Sequence, residues 1–472
     1  MKLLYIVTIF FCLPLRAFSS DAKEVQSPVV DQRVELLSIV FRLAGNKEYN
    51  AEDNLDYVNA IHRHFDKFIS HPLITYAKDL RDSSGVSYDA VMFMAIHLKF
   101  PPVLTPIIPF VDGVPNGRWK AKDAARFAIL LRQFYKDADC VGFFQSQSSR
   151  YALAEARFRV LFERLDASWY DKFYGRSSND RFNIIIGLGN GGGNYGPHLS
   201  VPGQKRSVYA IMGSDTFDSA GAPTFEAASY LSTLIHEFNH SFINPLSDQY
   251  EKQLSESGQA IFQKKGPSMR RLAYGEWKTM YNEALVRAAV VIYLKDHADT
   301  IAADREVKAQ QASGFIWMPQ LVTLLEVYQK ERKTYPTLAS FMPRLVEFYD
   351  QAQLNLDHYE DEYLAHCAKV ISTNPFRNGE MDVNPTISTV QFNFDKPLDG
   401  IRYFIGPGKM GKEHYPEVLK FTFADDNKSL IMHVKLQPNT VYQVGITGSR
   451  MRTRDGYSVQ NYSLDFKTGV TR

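Results

Sequence analysis

The stretch LSTLIHEFNHSF, residues 231–242, sets His236 and His240 four positions apart, with Glu237 directly after the first. On an α-helix, residues four apart lie on one face, one turn apart. The two imidazoles can therefore close on a single metal ion, and zinc accepts such nitrogens at about 2.0–2.1 Å. Glu237 is turned by about 100° from His236, beside the ion rather than on it, where a carboxylate can take a proton from an activated water. Leu231, Leu234, Ile235, Phe238 and Phe242 make the segment strongly apolar. Unpartnered histidines in such a helix are costly; a satisfied core pair is the competing reading. Asn244-Pro245 is expected to end the helix.

A zinc ion that keeps a position open for water needs a third protein ligand. SFINPLSDQ, which follows His240, lacks both the glycine and the histidine of HExxHxxGxxH, so the ligand is sought further downstream. Glu283 in YNEALVRAA is the best candidate. A carboxylate in that apolar stretch needs neutralising, either by a metal or by Arg287 one turn along, and the two are compatible. Glu276, Asp248 and His297 are held in reserve, and Asn282 is a candidate contact to substrate or oxyanion.

Two β-rich runs precede the motif, FNIIIG (182–187) and SVYAIMG (207–213), which predicts a small sheet packed against helices. The second lies closest upstream and is expected to form the cleft's upper edge, where a peptide can add as a strand. Between them, GLGNGGGNYGPHL (187–199) formally satisfies GxGxxG. No helix opens after those glycines, so a dinucleotide site is excluded. The segment is read instead as a flexible loop near the cleft. Its Tyr195 and His198 either donate to a developing oxyanion or merely anchor the loop.

The rest of residues 30–370 is dominated by helical periodicity, as in VELLSIVFRLAG (34–45) and YDAVMFMAIHL (88–98). Acidic DHYEDEYLAH (357–366) is read as a solvated helix face. The first residues, MKLLYIVTIFFCLPLRAFSS, have the lysine, apolar run and small residues of a signal peptide spanning residues 1–20. No later segment is apolar enough to span a membrane; the protein is expected in the periplasm or outside the cell. Net charge is +2, from 54 basic and 52 acidic residues with no basic block, so nucleic-acid binding is not indicated. Cys140 and Cys367 could form one disulfide or remain two buried thiols. Beyond residue 373, STNPFRNGEMDVNPT reads as a linker and is followed by short alternating runs. Val390, Phe392 and Phe394 alternate with polar residues, as do Leu419, Phe421 and Phe423, which predicts a β-sandwich.

RVELLSIVFRLAG, the NYG segment, HEFNHSFINP and NEALVRA together resemble an uncharacterised family of exported bacterial proteins, classed as a domain of unknown function. HEFNH with Asn282-Glu283 is similar to the gluzincin group of zinc peptidases. That resemblance implies His236, His240 and Glu283 as zinc ligands and Glu237 as general base. The group's downstream histidine or tyrosine, which stabilises the oxyanion, has no clear match. VQFNFDKPLD and LQPNTVYQVGITG resemble bacterial Ig-like domains, which would contact a surface, glycan or protein partner.

The expected architecture is α+β. A mostly helical, zincin-like domain (21–372) with a small sheet precedes an all-β, Ig-like sandwich (373–472). The expected function is zinc-dependent hydrolysis of a peptide or protein substrate. The alternative is a peptide- or glycan-binding or adhesion protein on the same scaffold.

Overall fold

The computed structural model describes residues 25–52, 55–175 and 180–470; the expected signal peptide lies outside them. The fold is α+β: fourteen α-helices among the described residues occupy the chain up to His366, and small antiparallel sheets occupy the C-terminal region.

The first helix, Gln32–Leu43, is buried on all sides from Arg33 to Arg42, so its polar residues need partners. Arg33 pairs with Asp31 at 2.6 Å. Glu35 accepts from Leu188 N at 2.7 Å and from the Tyr57 hydroxyl at 2.6 Å. Ser38 Oγ donates to Asn190 Oδ1 at 2.6 Å. This core helix thereby holds the glycine-rich segment, which begins in a 3-10 turn, Leu188–Asn190, and opens no helix.

Strand β1 (Arg181–Gly187) pairs in parallel with β3 (Ser207–Gly213), and the short β2 (His198–Leu199) pairs antiparallel on the other side of β3. Tyr195 extends that outer strand by exchanging backbone hydrogen bonds with Ile211 at 2.8 and 2.9 Å. β3 is therefore central, not the edge the sequence suggested. The glycine-rich segment itself forms the edge, because Tyr195–Leu199 folds back onto β3.

The motif helix runs Ala227–Gln249, straight through Pro245. Proline removes the N–H that would bond to the carbonyl four residues earlier, which is that of Ser241. Arg206 Nη1 donates to the Ser241 carbonyl oxygen at 3.2 Å instead, so the helix does not end at Asn244 as expected. Trp277–Asp296, the helix carrying Glu283, packs along it and is buried on most of its circumference. Asn239 ties the two, donating to the Val286 carbonyl oxygen at 3.3 Å.

The remaining strands are β4 (Val370–Asn374), β5 (Thr389–Phe394), β6 (Ile405–Pro407), β7 (Glu417–Phe423), β8 (Ser429–Lys435), β9 (Val441–Ile446) and β10 (Tyr462–Lys467). They form sheets in the orders β4-β5-β8-β7 and β10-β9-β6 around one shared apolar core. Two details depart from expectation. The supposed linker belongs to the domain: it begins inside β4, and Phe376 and Val383 are buried in that core. A bulge between Val418 and Lys420 breaks the alternation, so Val418, Phe421 and Phe423 face the core while Leu419 is exposed. Lys396 Nζ donates to the carbonyls of Ala365 and His366 at 2.7 and 2.8 Å, a cation at the C-terminus of helix Leu338–His366. The end of that helix is not only solvated, since Asp357 and Glu360 pair with Lys264 and Lys265. Cys140 and Cys367 are separate buried thiols.

Candidate metal centre

His236 and His240 leave the motif helix on one face and meet Glu283 from the neighbouring helix. The two Nε2 atoms lie 3.1 Å apart. His240 Nε2 is 3.4 Å from Glu283 Oε1, and His236 Nε2 is 3.5 Å from Oε2. A tetrahedral ion with bonds of about 2.0–2.1 Å spaces its ligand atoms about 3.3–3.4 Å apart. Two imidazoles and one carboxylate at this spacing suit a divalent cation such as zinc in both donor type and size. His240 is oriented by its other ring nitrogen, with Nδ1 at 3.2 Å from Asn244 Oδ1.

The Glu283 carboxylate is already neutralised within this cluster. Burial opposes ionisation of Glu283, but His236, His240 and Arg287 outweigh it and hold the carboxyl well below its usual range. Burial likewise opposes protonation of His240, yet Glu283 raises it to about 9; His236 is held well below its ordinary value by burial. Glu237 has no hydrogen-bond partner among the described residues, and burial pushes its carboxyl up to about 7, the range that suits a proton acceptor near neutrality.

Behind Glu283 stands a pair that sequence reasoning missed in one member. The Tyr274 hydroxyl donates to Glu283 Oε2 at 2.8 Å, and Arg287 Nη2 donates to the Tyr274 hydroxyl at 2.7 Å. Arg287 also reaches Glu283 Oε2 directly through Nη2 and Nε, at 3.0 and 3.2 Å. The ion pair foreseen as an alternative to ligation therefore coexists with the ligand geometry. Nothing in the local sequence marked Tyr274, which precedes the helix and reaches the site through the fold.

These groups open into a cleft of about 1380 Å³. The outer strand lies over the motif helix so closely that a Cβ on Gly196 would sit 2.5 Å from the Glu237 carbonyl oxygen and 3.3 Å from its Oε2; only glycine fits. Tyr195 exchanges both its bonds with β3, and Tyr209 N donates to the Pro197 oxygen at 2.9 Å. By the antiparallel alternation, Gly196 and His198 turn their N–H and C=O groups away from β3. Both line the cleft.

Tyr195 and His198 do reach the cleft; Tyr195 is buried with its hydroxyl engaged, whereas His198 is exposed. The Tyr195 phenol meets that of Tyr49, and His198 stands edge-on to Phe93. Asn282 lines the cleft with a buried Oδ1 that has no hydrogen-bond partner among the described residues. Of the reserve ligands, Glu276 and Asp248 line the cleft away from the triad, with Asp248 paired to Lys278 at 2.8 Å. His297 is elsewhere, 3.3 Å from Asp166.

The opposite wall comes from the N-terminal helices and had no sequence signal. Tyr88 adopts φ 52, held by Glu48 at its N–H and by the Tyr49 hydroxyl at its carbonyl, at 3.1 and 2.9 Å. Strain of this kind in a residue facing a cleft commonly marks a functional position.

Residues 117–348 match the model of a family described as a domain of unknown function, DUF4932. That span includes the motif helix, Tyr274 and Glu283. No curated protein is detectably similar to the chain. Among solved structures, surface layer protein SbsC, domains 1–6, is 11% identical with a TM-score of 0.17, covering 50% of this chain and 33% of that one. The N-terminal part of the bacterial S-layer protein SbsC is 10% identical with a TM-score of 0.18, covering 51% and 58%. At such scores nothing follows for fold or function.

Proposed function

We propose that the protein is an exported zinc-dependent peptidase of gluzincin type, with an Ig-like C-terminal domain. The observation that carries this reading is the spacing of His236, His240 and Glu283, together with an unpaired Glu237 beside them in an open cleft. A bound zinc ion would supply a Lewis acid and bring the pKa of its water toward about 7. Glu237 would take a proton from the water as its oxygen bonds to the scissile carbonyl carbon, and would pass that proton to the leaving amine as the C–N bond breaks. The outward N–H and C=O groups of Gly196 and His198 hold an extended peptide as an added strand, with its scissile carbonyl over Glu237. Tyr274, held by Arg287, would serve the developing oxyanion once its proton turns from Glu283 to the substrate, and the exposed His198 is the second candidate donor.

Seven C-terminal strands in two antiparallel sheets around one core are consistent with an Ig-like sandwich. Export rests on the signal-peptide pattern of residues 1–20.

The test combines metal content with proteomic cleavage profiling of wild type and Glu237→Gln. One zinc per chain in both proteins and cleavage only by wild type are expected. Wild type without stoichiometric metal would sink the proposal. Equal behaviour of the two proteins in every assay would instead favour a cleft that binds peptide or glycan without cutting it.

A further inference from the structure

We propose that the loop Ile401–Phe404 of the C-terminal domain docks on an anionic phospholipid bilayer. This does not rest on the metallopeptidase reading. Three of its four side chains are apolar and turned outward: Ile401 is 77% exposed, Tyr403 45% and Phe404 42%. With Ser449 and three arginines, Arg402, Arg450 and Arg452, they frame a shallow depression of about 560 Å³.

The arginines are not neutralised from within the protein. Arg450 lies over the Phe404 ring, 4.2 Å from its centroid, so the charge and the ring sit at one level. Arg452 Nη1 donates to the carbonyls of Ser449 and Met451 at 2.6 and 2.9 Å and to Ser458 Oγ at 3.1 Å, all uncharged partners. Among the described residues, arginine ion pairs form elsewhere in the chain but not at Arg402, Arg450 or Arg452. Asp399, the acid nearest the loop in sequence, turns Oδ1 to the backbone N–H groups of Ile401 and Arg402, at 2.9 and 3.2 Å. These bonds shape the loop and form no ion pair with the guanidinium groups. Tyr403 packs on Phe421 with centroids 4.5 Å apart, and the Phe404 oxygen accepts from Thr447 N at 3.1 Å. The surface is thus presented by a braced loop, which lowers the ordering cost of binding.

Charge and apolar exposure together choose the partner. An acidic protein or polysaccharide would satisfy the arginines and leave Ile401 and Phe404 in water. At a bilayer surface, aromatic and aliphatic side chains enter the headgroup boundary. Guanidinium groups at the same depth meet lipid phosphates through charge-assisted hydrogen bonds.

The test is co-sedimentation of the chain from residue 21 onward, without the apolar leader, with phosphatidylcholine vesicles, with and without phosphatidylglycerol, at low and high salt. Binding at least about tenfold tighter to the anionic vesicles, weakened by salt and unchanged by chelator, is expected. Arg402→Gln with Arg450→Gln should weaken it about 25-fold, at about fivefold per arginine. Ile401→Ser with Phe404→Ser should weaken it at least about tenfold. Thermal melts check that both variants fold; should either fail, the headgroup and salt dependence of the unaltered protein still decides. Absence of vesicle binding would overturn the proposal. So would equal binding to vesicles with and without phosphatidylglycerol, or binding that survives both variants. Binding of soluble polyglutamate as tight as that of vesicles, unmoved by the Ile401/Phe404 variant, would reassign the surface to a hydrophilic polyanion.

Discussion

Replacing Glu35 by Gln should change the pH dependence of stability in a definite direction. Glu35 is fully buried in the core helix, and burial raises its carboxyl from 4.5 to about 7. The groups around it are the Tyr57 hydroxyl, which also meets that of Tyr151 at 2.9 Å, the amides of Leu188 and Gly189, and Asp31, itself paired with Arg33. A carboxyl with a raised folded-state pKa binds its proton more tightly in the folded chain than in the unfolded one. Its contribution to stability is therefore complete below pH 4.5 and is lost as pH rises through about 7. The displacement corresponds to about 3 kcal/mol, at about 1.4 kcal/mol per pH unit. A glutamine keeps the shape: its Oε1 can accept from Leu188 and Gly189, and its amide can donate to Tyr57, whose own proton then turns to Tyr151. In urea denaturation, Glu35→Gln should match wild type near pH 4.5 and exceed it by up to about 3 kcal/mol at pH 8.5. A variant weaker than wild type by the same margin at both pH values would refute the reasoning, since the loop amides would then need an ionised carboxylate.

Three further outcomes follow from the site. Gly196→Ala should lower stability by about 1–3 kcal/mol, because the added Cβ meets the Glu237 carbonyl oxygen at 2.5 Å; thermal melts would show it. Arg206→Met should cost about 2 kcal/mol by stranding the Ser241 carbonyl and breaking the pair with Asp180. Pro245→Ala in that background should recover about 1 kcal/mol, because it restores the helical N–H; a double-mutant cycle by denaturant titration checks this coupling. Tyr274→Phe should cut the proposed hydrolysis by about 10²–10³-fold while metal stoichiometry stays at wild-type level; loss of metal instead would make Tyr274 a support for Glu283 alone.

Much of the candidate site was legible in the chain because helical periodicity is a local property. Spacing by four put His236 and His240 on one face, and an unneutralised glutamate in an apolar run pointed to Glu283. Alternation along β5 placed Val390, Phe392 and Phe394 inward, and all three are buried. What remained hidden depended on partners distant in sequence. Strand order is set by which segment folds back onto β3, so the edge proved to be Tyr195–Leu199. Pro245 continues its helix because Arg206, from another element, takes the stranded carbonyl. Leu419 turns outward because a bulge shifts β7 against β8. Tyr274 and the wall around Tyr88 have no periodic signature and reach the cleft only when the helices pack. The sequence by itself determined the face shared by His236 and His240, the carboxylate that meets them and the class of architecture, since these follow from period and polarity. Only the tertiary structure decided the cleft edge, its opposite wall and the donor behind the carboxylate, because a side chain's neighbours across the fold are set by packing.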